Sequence, residues 1–285
     1  MDSALHEIPL AVFTTLAPIG AGAFIALFIG FASNRIDDAK LKLVDKLTVI
    51  PLLVAFVGLV ASFAHLTQPL NALNVANTLG ATPMANEITA FGVFMVAAAV
   101  YWIWALTGSM SYSVRKGFTG VLAVLALVFA LAVGAAYMLP TIPTWNNAFT
   151  PASIVGFCLF GGSLLGLLVL RLADSADAAL SGSGENRMFA MLALGFVISL
   201  VSVIGLFAIG STAVSPVVDV AANTGSLILA FVLFIVFSVI VFGIGFFSVK
   251  LLPSVPVLVV ALVLLAVAVF LARLVFYGMQ IGIAL

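Results

Sequence analysis

Histidine is the side chain best suited to take a proton near neutral pH, and a nearby carboxylate can orient it or pass the proton on to water. This chain has two histidines, one cysteine, ten acidic and ten basic residues in 285 positions, so the places where such groups occur carry information. His65 is followed closely by Gln68, Asn71, Asn74 and Asn77, then by Glu87, and near the far end stand Arg273 and Tyr277. The last two are four apart and share one face of a helix. Together these residues can accept, orient and relay a hydroxyl proton. Simpler roles are open to each. An imidazole at a helix end can bond a terminal carbonyl, Glu87 can complement the positive N-terminus of a helix, and Arg273 with Glu87 can form a purely structural pair.

Other chemistry is excluded by ligand count. An iron–sulfur cluster takes four thiolates, and Cys158 is the single cysteine. It reads as a small buried apolar residue between Phe157 and Leu159. His6 and His65 stand at helix ends rather than as a facing pair within a bundle, so neither a haem nor a metal site is expected.

The elements that carry these residues are apolar throughout. Stretches at 8–33, 47–64, 88–107, 118–139, 152–170, 188–210, 226–249 and 257–276 are each near the roughly 20 residues that a helix needs to cross hydrocarbon. Composition agrees, at 65% hydrophobic, 7% charged and net charge zero. Lipid rather than water must solvate that much apolar surface. The chain therefore reads as a single transmembrane domain over 1–285, an all-α bundle of eight membrane-spanning helices, multi-pass in a bacterial inner membrane.

Its orientation follows from the basic residues. Arg35, Lys40, Lys42 and Lys46 fall in the first gap, Arg115 and Lys116 in the third, Arg171 and Arg187 in the fifth, and Lys250 in the seventh. The intervening gaps have none. The positive-inside bias makes the basic gaps cytoplasmic, with both termini and the loops 65–87, 140–150 and 211–225 outside. Arg273 is the exception, and near the outer end of the last helix it is expected to snorkel toward a carboxylate such as Glu87. The opening ten residues contain Asp2 and Glu7 but no basic residue, which argues against a cleaved signal peptide. Net neutrality and the absence of a long basic run argue against nucleic-acid binding.

Local signals give further expectations. The stretch 172–187, with Ser181-Gly182-Ser183-Gly184, reads as a flexible linker. Thr82-Pro83 and Thr150-Pro151 read as caps followed by proline at the first helical turn. Tyr101, Trp102 and Trp104 read as an interfacial anchor. Gly162 and Gly166 make a small-xxx-small pair whose expected partner is another helix of the same chain.

No ionisable residue falls near the middle of an apolar stretch, which counts against proton pumps and ion-coupled transporters. The polar set at the outer face, comprising His6, Glu7, His65, Gln68, Asn71, Asn74, Asn77, Glu87 and Arg273, suits a ligand that arrives from the membrane. A quinol meets that requirement: its tail partitions into lipid while its headgroup gives up protons and electrons at the interface. A transporter of a small neutral solute, or a purely structural anchor that does not oxidise quinol, would show the same helices.

Sequence motifs narrow the choice. The opening His6-Glu7-Ile8-Pro9-Leu10, the run Ser62-Phe63-Ala64-His65-Leu66-Thr67-Gln68-Pro69-Leu70-Asn71, then Asn86-Glu87-Ile88, Pro143-Thr144-Trp145 and Arg273-Leu274-Val275-Phe276-Tyr277-Gly278 follow in order along the whole chain. In these the chain resembles the membrane-anchor subunit of anaerobic dimethyl sulfoxide reductases. The resemblance implies an integral subunit without haem or iron–sulfur cluster that binds menaquinol as substrate near the outer face. It further implies two partners, a four-cluster iron–sulfur electron-transfer subunit and a molybdopterin catalytic subunit that reduces dimethyl sulfoxide or a related S-oxide or N-oxide. The histidine that the family ties to quinol oxidation corresponds to His65, with Gln68, Asn71, Glu87, Arg273 and Tyr277 as the expected quinol contacts. Where the family often carries a basic residue this chain has Asn71, so no cationic headgroup partner is expected there.

Overall fold

The computed structural model describes residues 7–64, 80–215, 218–251 and 254–281. Among the described residues it is all-helical, and eight helices are long and apolar enough to cross a membrane. In chain order the helices are α1 (Ile8–Ser33), α2 (Asp38–Leu47), α3 (Val49–Phe63), α4 (Pro83–Leu106), α5 (Tyr112–Ala136), α6 (Phe149–Leu172), α7 (Ala176–Leu180), α8 (Ser183–Ser211), α9 (Val220–Leu251) and α10 (Val255–Gly278). α2 and α3 form one span, and α7 is a single short turn.

α6 is the central post. It packs against α1, α5, α8 and α10, and nearly all its residues from Ser153 to Leu170 are buried. Small residues permit this closeness: a Cβ on Gly162 would collide with the backbone of Gly22 on α1, and one on Gly156 with Ser199 on α8. Without a hydrophobic drive between helices in lipid, such backbone approach is the main source of packing energy. The Gly162–Gly166 stripe thus meets α1 of the same chain, and Cys158 is buried beside Gly22.

Several helices start earlier than hydropathy alone indicates, because polar first turns and caps carry no apolar signal. Ser111 accepts from the Val114 amide at 3.4 Å and opens α5 six residues ahead of the apolar stretch, so Arg115 lies on a helix rather than in a loop. Thr82 caps α4 as expected, accepting from the Ala85 amide at 3.2 Å. Thr150 does not cap α6. The helix begins at Phe149, whose amide donates to Asn147 Oδ1 at 3.0 Å, while the Thr150 hydroxyl donates to the Trp145 carbonyl at 2.6 Å.

The bundle has two chemically different ends. At the basic end, Lys40 pairs with Asp174 at 2.9 Å, Lys250 with Glu185 at 2.7 Å, and Arg115 with Asp45 at 2.7 Å. The stretch 172–187 is not a loose linker there. It forms α7, buries Ser175, Ala176, Ala179 and Leu180, and accepts a hydrogen bond from Asn34 to the Ser181 carbonyl at 2.7 Å. Tyr101 is not an interfacial anchor either. It is fully buried edge-on to Phe118, 5.5 Å between centroids, whereas Trp104 is exposed and donates to Ser109 Oγ at 3.2 Å. The outer helices turn one face toward the core and another toward lipid, so an aromatic near a helix end is anchored or buried according to which face it occupies.

Candidate functional site

The opposite end gathers several of the residues that the sequence marks as candidates. α10 ends there, and its last turns present Arg273, Phe276 and Tyr277, all buried. Arg273 is 1% exposed, so it does not snorkel to the interface. Its charge is held inside instead. Nε donates to Thr14 Oγ1 of α1 at 2.8 Å, and Nη2 donates to the Tyr277 hydroxyl at 3.0 Å. The guanidinium also lies over the Phe276 ring, 4.1 Å from its centroid. A charge is expensive inside a membrane bundle, and two hydrogen bonds with a ring face meet much of that cost.

The network extends beyond the helix. The Tyr277 hydroxyl donates to the Tyr137 hydroxyl at 2.7 Å, at the end of α5. Trp145 stacks on Phe276 at 4.6 Å between centroids and donates Nε1–H to the Phe276 carbonyl at 2.9 Å. Thr144 donates to the Met279 carbonyl at 2.7 Å. The segment between α5 and α6 therefore caps the C-terminus of α10, whose last carbonyls have no helical donors.

Glu87 lies in the second turn of α4, half-buried, within electrostatic reach of Arg273 and of Tyr137. Among the described residues no ion pair joins Arg273 to Glu87, so the two interact through space and the simple structural pair is not formed. Of the expected contacts, Arg273, Tyr277 and Glu87 gather at one end. His65, Gln68 and Asn71 lie outside the described residues, as does His6.

Thr14, Tyr137 and Trp145 complete the cluster, and sequence reasoning does not assign them to it. Trp145 belongs to the Pro143-Thr144-Trp145 motif, and a tyrosine at a helix end before that motif is the one available signal for Tyr137. A cavity behind Arg273, lined by Trp145, Ser153, Phe157, Val203 and Phe276, leaves about 10 Å³ for water centres. That is room for about one water, far too little for a quinone ring, so it is not a ligand site. Among the described residues, no three His, Cys, Asp or Glu side chains cluster as a metal site would require.

Comparison with known proteins bears on what this end serves. The family model described as the DMSO reductase anchor subunit (DmsC) matches residues 1–279. The chain belongs to this family. This DmsC-family protein is similar over its full length to the Escherichia coli (strain K12) protein named anaerobic dimethyl sulfoxide reductase chain YnfH, at 27% identity covering 100% of the present sequence and 99% of the relative. It is 28% identical to a second anaerobic dimethyl sulfoxide reductase subunit of the same organism, covering 100% and 99%. With the corresponding anaerobic dimethyl sulfoxide reductase subunit of Haemophilus influenzae it shares 26% identity, over 98% and 97%. The DmsC assignment makes this protein a multi-pass membrane anchor of a bacterial reductase.

Proposed function

We propose that this anchor subunit oxidises menaquinol at the end of the bundle where Arg273, Tyr277, Tyr137 and Glu87 gather, and that this end faces outward from the bacterial inner membrane. The observation that carries the reading is Arg273 itself. An arginine buried inside the bundle near the end of a membrane-spanning helix, fixed by Thr14 and Tyr277 and acting on Glu87 through space, is the arrangement expected of a working site rather than of a lipid-facing surface. All nine remaining basic residues fall at the opposite end, which the positive-inside bias makes cytoplasmic.

In this reading the quinol tail lies in lipid and the headgroup meets Glu87 of α4, with His65, Gln68 and Asn71 as its further contacts. His65 takes a hydroxyl proton, and Glu87 orients the imidazole or passes the proton to water. Arg273 and Tyr277 form the wall behind. Loss of two protons and two electrons converts the hydroquinone to the quinone. The protons leave outside, and the electrons pass to a four-cluster iron–sulfur subunit and on to a molybdopterin subunit that reduces dimethyl sulfoxide or a related S-oxide or N-oxide. With both protons and electrons on the outer side, no charge crosses the membrane. The anchor holds neither haem nor iron–sulfur cluster.

The test uses the intact complex in membrane vesicles. His65→Ala should abolish quinol-driven reduction while the complex assembles and accepts electrons from reduced viologen, and turnover should build no membrane potential. Undiminished quinol oxidation in His65→Ala would remove that residue, and a potential generated during turnover would place the proton exit on the other side. A Soret band from the isolated protein would refute the cofactor-free anchor, and an isolated protein that moves a neutral solute into vesicles would favour transport.

A further inference from the structure

The hydrogen bonds around Arg273 run in one direction. The guanidinium donates to Tyr277, and Tyr277 spends its single hydroxyl hydrogen on Tyr137. The hydrogen of Tyr137 is therefore next in line, and among the described residues it has no acceptor. A cation at the head of such a series polarises each following bond, so the last hydroxyl is a stronger donor than an isolated phenol. The ring that carries it is held in place as well. The Tyr137 ring is held edge-on by Trp145, 5.9 Å away at 82°, and by Phe276, 5.5 Å away at 90°. Tyr137 is half-buried and lies within electrostatic reach of Glu87, so the series ends near that carboxylate.

Resting on the quinol-site reading above, we propose that Tyr137 donates the hydrogen bond that binds the quinol oxygen as its proton departs. The O–H bond of the hydroquinone breaks, the proton goes to His65, and negative charge gathers on the oxygen that Tyr137 faces. Tyr137 keeps its own proton and is neither oxidised nor reduced. A preformed donor aimed at developing charge assists most where water is excluded. Thr14 is a positioning residue: it accepts from Arg273 Nε and donates to the Leu10 carbonyl at 2.7 Å, which anchors the head of the series to α1.

The experiment compares the wild-type complex with Tyr137→Phe in membrane vesicles, with menadiol as the quinol and reduction of the partner's iron–sulfur clusters as the readout. The substitution keeps the ring and its edge contacts and removes only the hydroxyl. kcat/KM for menadiol should fall roughly tenfold or more, equivalent to about 1.4 kcal/mol. The pH at which the rate rises should move upward, because the quinol oxygen loses the donor that stabilises its developing negative charge, and electron entry from reduced viologen should not change. Unchanged kcat/KM and pH profile in Tyr137→Phe overturn the assignment. If His65→Ala in the same assay loses menadiol oxidation, the quinol site survives and Tyr137 alone is removed; if His65→Ala is also unimpaired, the quinol-site reading falls with it. Should Tyr137→Phe not assemble, Tyr277→Phe cuts the series one link earlier and leaves the Tyr137 hydroxyl in place. A smaller upward pH shift supports the proposal, and an unshifted profile overturns it.

Discussion

Arg115 and Asp45 meet through two parallel contacts, Nε to Oδ1 at 2.9 Å and Nη2 to Oδ2 at 2.7 Å, with side chains only 5% and 3% exposed. Arg115 Nη1 also donates to the Met110 carbonyl at 3.1 Å, so the pair ties the start of α5 to α2 and to the turn that precedes it. Removing one partner of a buried pair leaves an uncompensated charge, which costs about 3–5 kcal/mol. Arg115→Leu is therefore expected to lower the thermal unfolding midpoint in detergent sharply. Replacing both, as Asp45→Leu with Arg115→Met, should recover most of that loss. A single variant as stable as the double would show that the pair is solvated.

Gly162 and Gly92 predict opposite responses to the same methyl group. At Gly162 a Cβ runs into the Gly22 backbone, whereas at Gly92 nothing lies within 4 Å. Gly162→Ala should destabilise by about 1–3 kcal/mol through overpacking, and Gly92→Ala should stay within about 0.5 kcal/mol of wild type. Thermal midpoints of the two variants in the same detergent decide the matter.

Orientation can be read by labelling. The native Cys158 is buried and should stay silent to an impermeant thiol reagent. Cysteines at Lys42, Ser113 or Ser183, all exposed at the basic end, should react only in inverted vesicles, and those at Asn146 or Ala222 only in intact spheroplasts. The reverse pattern would invert the topology drawn from the basic residues.

The contact between Lys40 and Asp174 gives a pH signature. The lysine's hydrogen bond and charge hold the Asp174 carboxyl below its ordinary value of 3.8. A carboxyl depressed in the folded state adds stability above its unfolded pKa and loses it as pH falls through the folded value. Asp174 stands at φ 50, a conformation that asparagine also tolerates, so Asp174→Asn isolates the charge. The variant should be slightly less stable than wild type near about pH 7, with the difference shrinking as pH falls below the ordinary carboxyl value of 3.8. A difference that persists at low pH would assign the effect to the backbone.

Local physics determined a large part of this protein before any packing was known. Hydropathy over about 20 residues is a property of contiguous sequence, and so the eight spans, the charge difference between the bundle's ends and the cap at Thr82 could be read directly. Gly162 and Gly166 could likewise be read as a contact stripe, because small side chains spaced one turn apart announce a close neighbour. Polar first turns hid the start of α5 and α8, which is why Arg115 and Arg187 read as loop residues.

What only the tertiary structure decided concerns where a polar side chain finds its partner. Tyr277 and Tyr137 are 140 positions apart, and Arg273 and Thr14 are 259 apart. Nothing in the spacing along the sequence says that these groups meet, since that depends on how α1, α5 and α10 rotate and pack around α6. The same holds for Arg273, which sequence places at the membrane edge and packing draws inside. A lone charge near a helix end has two ways to meet its need for partners, water at the interface or hydrogen bonds in the bundle. The choice between them belongs to the neighbouring helices.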